Sequence, residues 1–206
     1  RPPRSTLFPY TTLFRSQAVD FVMAVCSVGS LKLSLGVGSL LVPDDFYCPA
    51  DVRRIAKDFS AHFMPGFDAA LRGALVDTLH AAGIHPATHG TYVNTAGPRF
   101  ETKAEIRVMA GAGDVVGMTG AHECVACGEL KLPYAMVCMV DNYCNGIGPE
   151  LSLEAFHAAQ RTNMGTVEAT VAALLDGVAG RMGLGGSGGG GGGAVSAAAG
   201  SAADAA

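Results

Sequence analysis

Short apolar runs alternate with segments of helical periodicity along most of this 206-residue chain. The runs at 21–25 and 38–42 are bounded by glycine, proline or polar residues, which is typical of short buried strands. Between 67 and 79 an apolar residue recurs at every fourth position, and this spacing predicts a helix that ends at Gly83. The same criteria predict six further elements, in the order strand 89–94, helix 103–110, strand 114–118, helix 121–130, strand 134–140 and a helix capped by Ser152 that runs to about 180. Strands separated by helices indicate an α/β fold whose mostly parallel sheet carries helices on its faces.

The two ends of the chain do not share this pattern. Residues 1–16 have no strand or helix period, and the stretch TLFPYTTLFRS resembles the translated read-through of a sequencing-library adapter, so we expect this segment to be foreign to the natural protein. A basic transit peptide is the alternative. Residues 183–206 are rich in glycine and alanine, cannot bury enough apolar surface to fold, and are expected to form a flexible tail. The predicted domain is therefore 17–182.

Charge and cysteine content narrow the classes of function. The chain has 14 basic and 18 acidic residues, and three of the basic ones lie in the first 16 residues, so the predicted domain is clearly acidic. This balance argues against binding to nucleic acid or to a membrane surface, and no apolar run reaches transmembrane length. Six scattered cysteines are most simply buried thiols in a reducing compartment, and the histidines lack metal-ligand spacing. Cys124 and Cys127 have the spacing of a redox or zinc pair, but no second pair accompanies them, so packing is the favoured interpretation.

Unusual residues follow four of the predicted strands, where ligands gather in parallel sheets. The motifs are CSVGSL at 26–31, GPRFETKAE at 97–105, DVVGMT at 114–119 and YAMVCMVDNY at 134–143. In this order, and over roughly residues 21–180, they resemble the purine nucleoside phosphorylase and methylthioadenosine phosphorylase family. The resemblance implies a nucleoside phosphorylase sandwich with a mixed, mostly parallel sheet and helices on both faces, of which this chain is a partial domain. The family's Gly-rich phosphate loop and Arg-His pair are not recognisable before residue 21, so we expect the chain to cover the C-terminal two-thirds of that domain.

The resemblance also implies a reaction. Family members are glycosyltransferases of purine salvage that use phosphate to cleave the N-glycosidic bond of a purine nucleoside. They give the free base and ribose 1-phosphate or its 5-methylthio analogue. The implied protein is a cytoplasmic homotrimer that needs no metal or organic cofactor. Because the reaction passes through a ribosyl cation, it needs preorganised hydrogen bonds rather than a nucleophile.

Two matched residues point to a 6-oxopurine as the base. Asn142 matches the catalytic family position at purine N7, where its amide can also donate to a 6-oxo group. Glu101 matches the glutamate that accepts the N1–H of a 6-oxopurine, whereas adenine presents a lone pair there and would be repelled. Taken alone, Asn142 could cap a turn and Glu101 could be an acid at a helix N-terminus. The motifs around both residues favour function.

The remaining matched residues concern phosphate, base stacking and sugar. Thr119, Ser27 and Cys26 match phosphate-binding positions, with Ser27 and Cys26 on one loop, and Thr119 is also placed to begin a helix. Phe100 is expected to stack on the base, and Met118 to pack on the ribose.

Two more matched residues concern the 5′ end of the sugar. Leu153 matches the position that reads the 5′ group, where an aliphatic residue favours a methylthio substrate, although a core role is equally compatible. His62 resembles a histidine that a neighbouring subunit contributes there. Two alternatives stay open: a 6-aminopurine-specific S-methyl-5′-thioadenosine phosphorylase, and an inactive fragment that binds purine or assembles with related subunits.

Overall fold

The computed structural model describes residues 19–50, 52 and 62–184. The predicted foreign segment 1–16 and residues 185–206 of the predicted tail lie outside the described residues.

Six strands form one mixed sheet. They are β1 (Val22–Ser30), β2 (Leu40–Leu41), β3 (Asp45–Tyr47), β4 (Thr91–Asn94), β5 (Val115–Gly117) and β6 (Tyr134–Tyr143). Their order across the sheet is β2-β6-β1-β5-β4-β3. The pairs β1/β6, β3/β4 and β4/β5 are parallel, whereas β1/β5 and β2/β6 are antiparallel. The predicted mixed, mostly parallel sheet is confirmed.

Four helices accompany the sheet within the described residues. They are α1 (Ala69–Ala81), α2 (Lys103–Met109), α3 (Gly120–Glu129) and α4 (Leu153–Arg181). Ser152 caps α4 as predicted, because its hydroxyl accepts a hydrogen bond from the backbone N–H of Ala155 at 3.1 Å. Gly83 follows α1 with φ of +75°, the left-handed conformation that commonly ends a helix. No helix in the described part of the chain combines the length and apolar character required to cross a membrane.

The helices cover both faces of the sheet. Alternate residues of β1 and β6 pack against Cys124 and Cys127 of α3 on one face. The intervening residues pack against α1 and α4 on the other, in a cluster that includes Leu75 and Leu174. Because β6 is buried on both faces, its sequence is an apolar run rather than an alternating one.

Two strands are longer than predicted. β1 continues to Ser30 and β6 to Tyr143, so Cys26, Ser27 and Asn142 lie inside strands and not after them. The loop predicted for Cys26 and Ser27 is therefore wrong. The polar ends of both strands persist because each pairs with the other through Ser30 and Tyr143. The register shifts by one residue at Val28/Gly29, which leaves Asp141 as the extra residue of a β-bulge.

Candidate active site

The antiparallel pairing of β1 with β5 decides where the predicted phosphate residues meet. Gly29 pairs with Val116, so the chain leaving the end of β5 runs back along the middle of β1. Thr119 Oγ1 consequently lies 3.8 Å from Cys26 Sγ. The carboxyl ends of β1 and β5 do not share one edge of the sheet, as a fully parallel arrangement would require. Thr119 and Cys26 are nevertheless brought together, at mid-strand.

The turn that carries Thr119 is folded around Tyr92 of β4. The backbone N–H groups of Thr119 and Gly120 both donate to Tyr92 Oη, at 3.2 and 3.1 Å. Asn94 Oδ1 accepts the next N–H, that of Ala121, at 3.1 Å. Thr119 is the N-cap residue of α3, but its side chain makes no capping hydrogen bond. Its exposed hydroxyl is therefore not used by the helix.

Ser27 belongs to a different contact network from Cys26, because successive residues of a strand face opposite sides of the sheet. Cys26 packs with the cluster under α3. Ser27 Oγ donates to Asp141 Oδ2 at 2.5 Å, and Asn163 of α4 donates to Asp141 Oδ1 at 2.7 Å. Asn163 also donates to Val140 O at 3.2 Å. These hydrogen bonds satisfy the buried polar groups of the bulge at Asp141.

Electrostatically, the surroundings of Thr119 include a neutral thiol. Burial, together with the charge of Glu123, raises the pKa of Cys26 to about 12. Cys26 therefore stays protonated at neutral pH and places no negative charge beside the Thr119 hydroxyl.

Asn142 and Cys144 lie against the bulged part of β1. Asn142 is buried, and its Nδ2 donates to Tyr143 O at 2.9 Å. A Cβ at Gly29 would lie 2.7 Å from Cys144 Sγ and 3.0 Å from Asn142 Nδ2, so only glycine lets both side chains pack there. Burial raises the pKa of Cys144 to about 12, and the negative charge of Glu101 adds to this rise. Glu101 is thus close enough to Cys144 to affect its pKa, and the side chains of Asn142 and Cys144 both lie against Gly29.

Glu101 lines two cavities. The larger, of about 320 Å³, has the size of a small-ligand site and is lined by Arg99, Phe100, Glu101, Thr102, Asn145, Leu151 and Leu153. The smaller cavity, of about 200 Å³, is lined by residues of the same loop from Thr95 onwards and by residues outside it, including Pro49 and Met109. Glu101 is only 8% exposed, whereas Leu153 at the rim of the larger cavity is 64% exposed.

The loop 95–101 lines both cavities and also contacts the turn that carries Thr119. Thr95 N donates to Gly117 O at 2.9 Å, and the Cβ position of Gly97, whose φ is +60°, is 2.4 Å from Met118 Sδ. The sequence places Glu101, Asn142 and Thr119 around one cavity. In the structure Glu101, Phe100 and Leu153 line the larger cavity together, whereas Asn142, Met118 and Thr119 line neither of the two.

An ion pair that was not predicted from the sequence holds the loop that carries Glu101. Arg99 donates to both carboxylate oxygens of Glu105, at 2.9 and 2.8 Å. Glu105 also accepts the Thr102 N–H at 2.7 Å, and Thr102 Oγ1 accepts the Glu105 N–H, which completes a capping box. The hydrogen bonds from Arg99 and Thr102 lower the pKa of Glu105 to about 2. The T-x-x-E spacing at 102–105 is the sequence signal that predicts this capping box.

His62 lies on the segment that precedes α1. It is exposed and precedes Phe63, whose ring lies against Gly128 of α3, and His62 lines neither cavity. No group of three or more potential ligands that could hold a metal ion occurs among residues 19–50, 52 and 62–184. Cys124 and Cys127 are buried free thiols, and burial raises their pKa values to about 11 and about 12. Such thiols are unreactive, which agrees with the packing interpretation.

Comparisons with known proteins place these features in context. A family model described as the phosphorylase superfamily matches residues 10–176. A protein called "Probable 6-oxopurine nucleoside phosphorylase" from Archaeoglobus fulgidus is 40% identical over 134 residues, which cover 65% of this chain and 55% of that protein. A "Probable S-methyl-5'-thioinosine phosphorylase" from Pseudomonas syringae is 34% identical over 170 residues, covering 78% and 69%. The chain spans about half the length of the first of these relatives.

Solved structures show the same fold. The methylthioadenosine phosphorylase from Schistosoma mansoni in complex with adenine superposes with a TM-score of 0.66 at 21% identity. The superposition covers 80% of this chain and 68% of that one. The predicted nucleoside phosphorylase sandwich, present in part, is confirmed.

Proposed function

Because the chain belongs to the phosphorylase superfamily, we propose that it forms part of a purine nucleoside phosphorylase acting on a 6-oxopurine nucleoside or its 5′-methylthio analogue. The reaction uses inorganic phosphate to cleave the N-glycosidic bond and gives the free base and ribose 1-phosphate or methylthioribose 1-phosphate. Two relatives with 39–40% identity, named as a probable 6-oxopurine nucleoside phosphorylase and a probable S-methyl-5'-thioinosine phosphorylase, support this choice of base.

The observation that carries the proposal is the buried carboxylate of Glu101 at a ligand-sized cavity. A carboxylate there accepts the N1–H of hypoxanthine or guanine as a charge-assisted hydrogen bond. Adenine presents a lone pair at N1, so the same carboxylate repels it. Phe100, which lines the same cavity, supplies an aromatic face for the base.

Asn142 has the remaining capacity to serve the leaving base. One amide hydrogen is bonded to Tyr143 O, which leaves a second hydrogen for a 6-oxo group and Oδ1 for a protonated N7. Asn142 does not line the cavity beside Glu101.

Phosphate is proposed to bind at the Thr119 hydroxyl, near Cys26. Ser27 is a poorer ligand, since its hydroxyl donates to the Asp141 carboxylate and a second anion there would be repelled. Met118 would pack on the ribose, and Leu153 would face the 5′ substituent. By the family resemblance, we also propose a cytoplasmic homotrimer without metal or organic cofactor, in which His62 serves a neighbouring subunit.

The decisive measurement is phosphate-dependent release of base from inosine, methylthioinosine, adenosine and methylthioadenosine. We expect turnover of the 6-oxopurine nucleosides, and none when phosphate is omitted. Release of adenine alone would contradict the roles of Glu101 and Asn142 and favour the 6-aminopurine alternative, which the fold shared with methylthioadenosine phosphorylases also permits.

A second candidate, of a different class, is a non-catalytic purine-binding chain. It is favoured by the composition of the larger cavity, which Glu101 and Phe100 line but Asn142, the residue matched to the catalytic position, does not. Calorimetry with guanine separates the two candidates, because the second predicts heat of binding without turnover of any nucleoside.

A further inference from the structure

We propose that Tyr92 is a positioning residue whose phenol holds the turn 117–120 in the conformation that presents Thr119 to phosphate. The inference rests on the proposed function, since it concerns the phosphate side of that site. Tyr92 has no exposed surface, so its contact with a ligand is indirect.

Hydrogen bonds connect the turn 117–120 to Tyr92. Two consecutive N–H groups, of Thr119 and Gly120, converge on the single Tyr92 oxygen. Consecutive amides arranged in this way commonly bind an anion. Here a neutral phenol takes the anion's place, and so phosphate is left with the Thr119 hydroxyl, which α3 does not use.

The glycines of the turn also pack against Tyr92. A Cβ at Gly117 would lie 2.4 Å from Tyr92 Oη, and a Cβ at Gly120 would lie 3.1 Å from Tyr92 Cε1. The glycines on both sides of Met118 and Thr119 are therefore fitted to the tyrosine ring. At Gly120 the added Cβ would also lie 2.9 Å from Met136 Sδ, whereas at Gly117 all three nearest atoms belong to Tyr92, so the close packing against Tyr92 is tightest at Gly117.

The test compares Tyr92→Phe with Tyr134→Phe. Tyr134 is equally buried, and its hydroxyl donates to the Glu123 side chain at 2.7 Å rather than to the turn. Each variant thus loses one buried phenolic hydroxyl, but only Y92F leaves two amides of the turn without an acceptor. The readouts are the KM for phosphate, kcat, and the rise in Tm caused by inorganic phosphate.

We expect Y92F to raise the KM for phosphate about tenfold and to reduce the phosphate-induced rise in Tm, with kcat within about threefold of wild type. Y134F should lower stability without changing the KM for phosphate. Equal effects of the two variants on that KM, or no effect of Y92F, overturn the inference. If the wild-type chain shows neither turnover nor a response to phosphate, the proposed function and the inference both fail.

A second pair keeps the test decisive should Y92F not fold. Gly117→Ala retains the phenol but places a Cβ against it, so it should weaken the phosphate response in the same way. Gly73→Ala in α1 is the control, because nothing lies within 4 Å of its added Cβ. A phosphate response of G117A equal to that of G73A contradicts the role of Tyr92.

Discussion

Replacing Glu101 by glutamine tests base recognition with the smallest change in shape. The side chain is 8% exposed and lines the larger cavity, so the substitution alters one buried carboxylate and little of the surface. Glutamine keeps one carbonyl oxygen that can accept the N1–H of a 6-oxopurine. It also brings an NH₂ group that can donate to N1 of adenine.

The expected fall in kcat/KM for inosine follows from the charge on the hydrogen bond that the substitution removes. A hydrogen bond to a charged group contributes about 1.5 to 3 kcal/mol, compared with about 1 kcal/mol for a neutral one. Since about 1.4 kcal/mol corresponds to tenfold, complete loss of the charged bond lowers kcat/KM for inosine by about 10- to 150-fold. A neutral bond from glutamine recovers part of this. For adenosine the repulsion disappears, so kcat/KM should rise.

The assay is kcat/KM for inosine and for adenosine at saturating phosphate, with calorimetry of hypoxanthine and adenine as a readout independent of turnover. Glu168→Gln is the matched control, because Glu168 is an exposed acid within α4 that lines neither cavity. An E101Q variant whose preference for inosine over adenosine equals that of E168Q would refute the role assigned to Glu101.

Three further changes have defined outcomes. Leu153→His should shift kcat/KM from methylthioinosine towards inosine by about tenfold, since a hydrogen-bonding group replaces an apolar one at the cavity rim; an unchanged ratio would exclude a role in reading the 5′ group. Thr170→Val should raise the free energy of unfolding in urea by about 1 kcal/mol, because the buried Thr170 hydroxyl has no hydrogen-bond partner among the described residues. The control Thr162→Val, at an exposed site on the same helix, should change it by less than about 0.5 kcal/mol. Burial raises the pKa of Cys127 from 9.0 to about 12. Between these two pH values the thiol ionises in the unfolded state but stays neutral in the folded state, so the free energy of unfolding falls as pH rises from 9.0 towards about 12. Urea unfolding at about pH 8 and about pH 10 should show a smaller loss for Cys127→Ala than for wild type.

Local chemistry made several elements predictable. Ser152 begins α4 because a hydroxyl accepts the N–H three residues ahead, and Gly83 ends the α1 segment because glycine adopts positive φ easily. Both effects act within a few residues and can be read from a short stretch of sequence. The buried strand β6 was predictable for a similar reason, since its apolar run is continuous.

The ends of the strands depended on distant partners. Asp141 and Asn142 are polar and suggest that a strand has stopped, yet β6 continues through them. The Asp141 carboxylate is accommodated by Ser27, 114 positions away, and by Asn163, 22 positions away. No local pattern reports such bonds. The antiparallel pairing of β1 with β5, which decides what Thr119 contacts, is equally non-local.

The turn that carries Thr119 and the loop that carries Glu101 are held in place by different kinds of contact. The turn of Thr119 is fixed by buried hydrogen bonds to Tyr92 and Asn94, whereas the loop of Glu101 is held by the exposed ion pair of Arg99 and Glu105 as well as by hydrogen bonds. Surface ion pairs are screened by salt, whereas buried hydrogen bonds are screened much less, so the two parts of the site differ in what stabilises them. Phosphate would therefore meet a turn that buried hydrogen bonds already fix.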